Sequence, residues 1–209
     1  MTEHGGIKGG ITDHGKSVLP GRFRPAYWLG VCAGALALLC MPMLAQAADS
    51  AAALEYKVKA GYLFNFARFI EWPAACLPAS DSPFVIGIID DSEALPVVRS
   101  LLEGKKVDGH PVQIKALNAN QIGRDIHILL VTRAAGKSPE EIRTAMDGAF
   151  TLLVGETEDF AERGGMVGFT REEDRIRISL NLDRATEAGL RVSSKLSSVA
   201  KMVKTMKNK

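Results

Sequence analysis

The apolar positions change period along the chain, and each change marks an element. Residues 51–72 carry them at helical spacing. Val58, Tyr62, Asn65, Phe66 and Phe69 fall at i, i+3 and i+4 intervals on one side, with Leu63, Phe64 and Ile70 on the other. The second half of this helix is apolar nearly all round, which predicts burial on more than one side. Pro73 ends it, because the residue before a proline, Trp72, is driven out of helical backbone space. Phe84–Ile89 (F-V-I-G-I-I) reads as a strand, followed by a helix over 93–102 and an extended stretch over 112–117. I-H-I-L-L-V-T at 126–132 is a continuous apolar run, the pattern of a central parallel strand.

Ser138-Pro139-Glu140-Glu141 is a helix start: Ser138 caps, Pro139 suits the first turn, and Glu141 closes a capping box. A strand over 151–154 and a helical turn over 159–163 follow. Residues 166–169 and 175–182, joined through Glu172-Glu173-Asp174, predict a β-hairpin. Its second arm alternates, with Ile176, Ile178, Leu180 and Leu182 on one side and Arg175, Arg177, Ser179 and Asn181 on the other. Two helices close the chain, 183–188 (ended by Gly189) and 194–206. Strands alternating with helices predict one α/β domain. Its mixed, mostly parallel sheet is flanked by helices on both faces, with a C-terminal β-hairpin and helices.

The N-terminus belongs to a different class. Residues 1–24 are polar and cationic, 26–39 are apolar, and Ala45-Gln46-Ala47 offers a small-residue cleavage site. That order is a secretory signal with a long n-region. The apolar core is short of the roughly 20 residues a membrane span needs. The chain therefore divides into a signal, 1–47, and a domain, 48–209. The signal segment carries four Lys/Arg and two Asp/Glu, which accounts for the whole net charge of +2. A near-neutral domain excludes the basic excess of a nucleic-acid binder. Cys32 and Cys40 leave with the signal, so Cys76 has no partner for an internal disulfide.

Candidate chemistry is sparse. Ala135-Gly136-Lys137-Ser138 lacks the upstream glycine of a phosphate loop, since Val131 stands there. His110 and His127 with one cysteine do not make a common zinc site. His127, within an apolar strand, is expected to be a satisfied core histidine, and His110 an exposed turn residue. There is no G-x-S-x-G elbow. Asp90, Asp91 and Glu93 after the first strand read as helix-capping groups. Neither a cofactor nor a metal is expected. Two features remain. Asn65 and Arg68 interrupt an aromatic helix, where Arg68 can pair with Glu71 or join Phe64 and Trp72 in anchoring a partner. In the last predicted helix, Leu196, Val199, Ala200 and Val203 form an apolar stripe beside lysines, which suits docking or weak contact with an anionic membrane surface.

K-V-K-A-G-Y-L-F-N-F-A-R-F-I-E-W-P (57–73) resembles the opening motif of the YfiR-like periplasmic family. G-G-M-V-G-F-T…R-I-R-I-S-L-N-L-D-R-A…A-G-L-R-V-S-S-K-L (164–196) resembles its closing motif. The motif positions are Tyr62, Asn65, Phe66, Phe69 and Pro73, then Gly164, Gly165, Gly168, Asn181, Ser193 and Ser194. The resemblance implies a periplasmic homodimer without catalytic residues. It implies binding to the periplasmic part of an inner-membrane diguanylate cyclase, whose repression lowers cyclic di-GMP and biofilm formation. Phe64, Arg68, Trp72, Arg175 and Arg177 are the expected partner-binding residues. The family's best-known member uses disulfides; here Cys76 is alone and His127 stands where relatives often have cysteine. A periplasmic small-ligand sensor is the alternative reading, and an unrecognised hydrolase or oxidoreductase the third.

Overall fold

The computed structural model describes residues 51–206 apart from Pro78, Ser80, Asp90–Ser92, Ala119, Asn120, Asp147 and Asp174. The predicted signal, and with it Asp90 and Asp91, lies outside the described residues. Helix α1 covers 51–69. After it come β1 (Ile70–Glu71), β2 (Phe84–Ile89), α2 (Ala94–Leu102), β3 (Lys106–Val107), β4 (His110–Leu117) and β5 (Ile128–Val131). The second half holds α3 (Pro139–Ala145), β6 (Leu152–Gly155), β7 (Val167–Glu172), β8 (Arg175–Leu180), α4 (Leu182–Glu187), β9 (Arg191–Val192), α5 (Ser194–Val199) and β10 (Lys201–Met202).

Eight strands form a mixed sheet in the order β10-β8-β7-β6-β5-β2-β4-β3. The inner pairs β4·β2, β2·β5, β5·β6 and β6·β7 are parallel, and the hairpin β7·β8 is antiparallel. Every residue of β2, β5 and β6 is buried, which is why these strands read as unbroken apolar runs. The crossovers β2–α2–β4 and β5–α3–β6 leave the sheet centre in opposite directions. Right-handed connections therefore set α2 and α3 on opposite faces. The α3 capping box forms as the sequence predicts: Ser138 Oγ accepts from Glu141 N–H, and Glu141 Oε2 from Ser138 N–H at 2.9 Å.

Three expectations are corrected. The first helix ends at Phe69 rather than Trp72, because Ile70 and Glu71 pair with Val192 and Arg191. Its inward stripe is also rotated. Tyr56, Ala60, Leu63, Phe66, Ala67 and Ile70 are buried, whereas Val58 is 43% exposed and Asn65 faces solvent. Alanines carry much of that packing surface, and a stripe traced through large side chains alone misses it. The last helix stops at Val199 instead of 206, and Lys201–Met202 pair in parallel with Ser179–Leu180. Val199 is 67% exposed, so the supposed apolar stripe does not exist, and the basis for an amphipathic membrane helix goes with it. Thirdly, His110 is not a free turn residue: it opens β4, and its Nδ1 lies 2.9 Å from Ser82 O.

The hairpin alternation holds in the outer half of the strand and fails in the inner half. Ile178 is buried and Arg175 and Arg177 are exposed, but Ser179 and Asn181 are buried as well, and Leu182, 37% exposed, opens α4 because the strand ends at Leu180. Among the described residues Arg177 pairs with Glu172, at 3.6 Å, with both side chains more than half exposed. Arg177→Ala is therefore expected to move stability by no more than about 0.5 kcal/mol. Urea denaturation of the two proteins checks this, and a loss of several kcal/mol would contradict an exposed arginine.

Candidate functional site

An apolar surface with convergent charge lies in a groove between α1 and the β7–β8 hairpin. Its origin is local. The stripe that α1 buries leaves Leu54, Val58 and Tyr62, spaced by four, on a second side. The hairpin, meanwhile, outruns its neighbours: β7 pairs with β6 only at Val167–Gly168, and β8 with β10 only at Ser179–Leu180. Its outer half is covered by α1 on one face, where Phe66 stacks on Phe169 at 6.0 Å and Tyr62 lies 5.9 Å from the same ring. Beyond this contact the two elements diverge around a space of ≈ 600 Å³. Leu54, Val58, Tyr62 and Ile176 supply its apolar lining, and Arg171, Arg175 and Arg177 its rim. Leu54 is 62% exposed, high for a leucine in a well-formed helix.

A buried ion pair braces one wall. Lys59 Nζ donates to Glu156 Oε1 at 2.8 Å, with the two side chains 5% and 4% exposed. Glu156 follows β6 and also accepts from Arg133 N–H at 3.1 Å and Tyr56 Oη at 3.4 Å. Lys59 reaches Glu55 as well, at 2.6 Å, and Glu55 meets Arg171 of the hairpin at 3.7 Å. Charge therefore runs from the carboxyl ends of the parallel strands, through α1, to the groove rim. The sequence reading missed Lys59, Glu156 and Glu55. The i, i+4 spacing of Glu55 and Lys59 was visible, but Glu156 is 97 residues from Lys59.

The five expected partner-binding residues fall in three places. Arg175 and Arg177 are on the groove rim. Phe64 lies elsewhere on α1, about 200° around the helix from Tyr62, between the Arg68 guanidinium (5.9 Å) and Lys105 Nζ (5.2 Å). Among the described residues no ion pair joins Arg68 to Glu71. Trp72 turns inward: its ring meets Phe84 edge-on at 5.1 Å, and Nε1–H donates to Ala67 O at 3.1 Å.

The motif residues mostly build backbone and packing. Phe69 O accepts from Ser193 N–H at 3.0 Å beside the β1·β9 ribbon, so the two motifs meet in space. Tyr62 Oη donates to Ile176 O at 3.3 Å. Asn181, fully buried, caps α4 and donates to Ala161 O at 2.9 Å. Ser193 caps α5, with Ser194 exposed as its first residue. Pro73 precedes a short 3₁₀ turn, and Asn65 is exposed. Gly164 has φ +108°, a backbone conformation that suits glycine. Gly165 and Gly168 make room for Phe160 and Ser179.

His127 is 4% exposed and fully used. Its Nδ1 accepts from Val85 N–H at 3.0 Å, which leaves the proton on Nε2, 3.2 Å from Cys76 O. The ring thus clamps the segment after α1 to the sheet. Burial pushes the imidazole below its usual range, against the opposing pull of Cys76 O and the Asp125 carboxylate; His110 adds to the lowering. The folded ring refuses a proton that the unfolded chain accepts below about pH 6.5. Stability from this group is full above that pH and is lost as pH falls toward the lowered folded value. Wild-type urea midpoints should fall from pH 7.5 to pH 5, and His127→Gln should flatten that slope. An unchanged slope in the variant would contradict the clamp. Burial raises the Cys76 thiol, so it is not an activated nucleophile. Among the described residues no three His, Cys, Asp or Glu side chains gather to hold a metal ion, and no helix is long and apolar enough to cross a membrane.

A family model described as YfiR/HmsC-like matches residues 56–201. No match was found among curated proteins. The solved structure of a conserved domain protein from Vibrio cholerae O1 biovar eltor is similar over 63% of this chain, with 14% identity and a TM-score of 0.44. The chain spans 57% of that protein's length.

Proposed function

Because the chain belongs to the YfiR/HmsC-like family, we propose that it is a non-enzymatic periplasmic regulator, which binds the periplasmic part of an inner-membrane diguanylate cyclase and represses it. Residues 1–47 serve as its signal, and the protein acts as a homodimer. Cyclic di-GMP and biofilm formation fall as a result. The observation that carries this reading is the family match across most of the domain. The groove supports it: an apolar floor rimmed by arginines is the composition of a protein-binding surface. Repression requires that the regulator bind the inactive cyclase more tightly than the active one, and the shift in output cannot exceed that difference.

The test deletes the gene and measures cellular cyclic di-GMP, then restores wild type or the Arg175→Glu/Arg177→Glu variant. A rise on deletion, reversed by wild type and not by the variant, is expected. Unchanged cyclic di-GMP with the cyclase expressed would defeat the repressor reading. Mass spectrometry of the exported protein should find it starting at or near Ala48.

A small-ligand sensor is the second reading, favoured by the groove's volume, which lies in the range of ligand pockets. Such pockets bury most of their ligand. The exposure of Leu54 and Val58 leaves this groove too shallow for that and favours a macromolecular partner.

A further inference from the structure

The outer strand of the hairpin is an unfinished sheet edge. Strand β10 pairs with β8 at Ser179 and Leu180, a parallel register in which Lys201 N–H takes the Ile178 carbonyl, and among the described residues no strand pairs with the outer side of Arg175–Arg177. Val203 N–H donates to Leu180 O, so the backbone groups of Leu180 point outward. With a repeat of two, so do those of Ile178 and Ile176. Tyr62 Oη already reaches the outward carbonyl of Ile176 at 3.3 Å, and that oxygen keeps a second lone pair. The open edge borders the groove.

We propose that this edge accepts an extended segment of the partner protein as an added strand, and that the segment carries acidic residues at alternate positions with apolar residues between them. The alternation follows from the register. Side chains on a paired strand sit opposite those of β8 on the same face. Arg175 and Arg177 share one face, so the facing positions call for carboxylates, which arginine binds as a planar fork. Ile176 points to the other face, toward α1, where Leu54 and Val58 stand exposed and call for apolar side chains. Main-chain hydrogen bonds supply affinity, and the alternating pockets supply choice of partner. Glu172 stands 3.6 Å from Arg177 with both side chains more than half exposed, so solvent screens that pair.

The inference rests on this face being the partner-binding surface and not on the partner being a cyclase, so a peptide experiment tests it apart from cyclic di-GMP levels. The probe is a fluorescein-labelled (Glu-Val)₄ peptide, titrated into the exported protein and followed by anisotropy. Comparators are (Lys-Val)₄, octaglutamate and (Glu-Val)₄ N-methylated at alternate backbone nitrogens. Binding of (Glu-Val)₄ alone is expected, weakened at least tenfold by Arg175→Glu/Arg177→Glu and by Leu54→Asp. Hydrogen exchange at the Ile176 and Ile178 amides should slow when the peptide is present. These substitutions are at exposed sites, and unchanged far-UV circular dichroism confirms folding. No binding up to the solubility limit overturns the proposal. Equal binding of octaglutamate or of the N-methylated peptide also overturns it, because charge alone would then suffice. Protection of both amides before peptide is added would mean that a second copy of the chain covers the edge, and would overturn it too.

Discussion

Replacing Glu156 with alanine is expected to destabilise the protein by about 3–5 kcal/mol, the usual cost of stranding a buried charge. Lys59 would then sit 5% exposed with only the partly exposed Glu55 to meet it. Arg133 N–H and Tyr56 Oη would lose an acceptor in the same step. Domains of this size hold only about 5–15 kcal/mol in all, so a large share of the margin disappears. The pair's net worth is smaller than the cost of breaking it, because both groups had to leave water. Lys59→Met combined with Glu156→Leu should therefore recover much of the loss, and the double-mutant cycle should be strongly non-additive. Urea midpoints of the four proteins decide this. A Glu156→Ala loss under 1 kcal/mol would mean that water reaches the lysine.

The second large effect is centred on Phe160, which is 1% exposed. A Cβ placed on Gly155 would meet its Cδ2 at 2.2 Å, and one on Gly165 its Cδ1 at 2.3 Å, so the ring is held between two glycines. The Gly165 Cβ would also stand 2.8 Å from Phe160 O, a backbone atom that cannot swing aside. Gly165→Ala should cost about 1–3 kcal/mol through overpacking. Phe160→Ala should cost about 3–5 kcal/mol by leaving a cavity. With the ring gone only the contact with Phe160 O remains, so Gly165→Ala should cost less in the Phe160→Ala background than alone. Equal costs in both backgrounds would place the strain in the backbone instead of the ring.

What the sequence made legible was local. The α3 capping box is four adjacent residues. The buried strands β2 and β5 are unbroken apolar runs, and the alternation of β8 runs from Arg175 to Ile178. What it hid depends on partners far along the chain. Nothing near Ile70–Glu71 or Lys201–Met202 marks a strand; each is extended only because Arg191–Val192 or Ser179–Leu180 offers it an edge. Lys59 looks like a solvated helix lysine until Glu156 is brought beside it. At the candidate site, the two arginines were readable from their alternation. The wall facing them was not, because which side of α1 stays bare depends on Ala60 and Ala67 as much as on the aromatics.

The dependence of α1 on the hairpin has a consequence for how the chain is made. The helix is among the first parts of the domain to be synthesised, yet Tyr62 and Ile176 are 114 residues apart and Lys59 and Glu156 97. At about 5–20 residues per second, its apolar stripe waits roughly 5–20 s for the strands that cover it. Contacts of such separation also slow folding once the chain is complete. During that interval the first helix is an uncovered apolar segment, open to proteases and to aggregation with other unfinished chains. A chain cut short before β8 would not leave this interval, so quality control should discard such fragments even though they contain β2, β5 and β6.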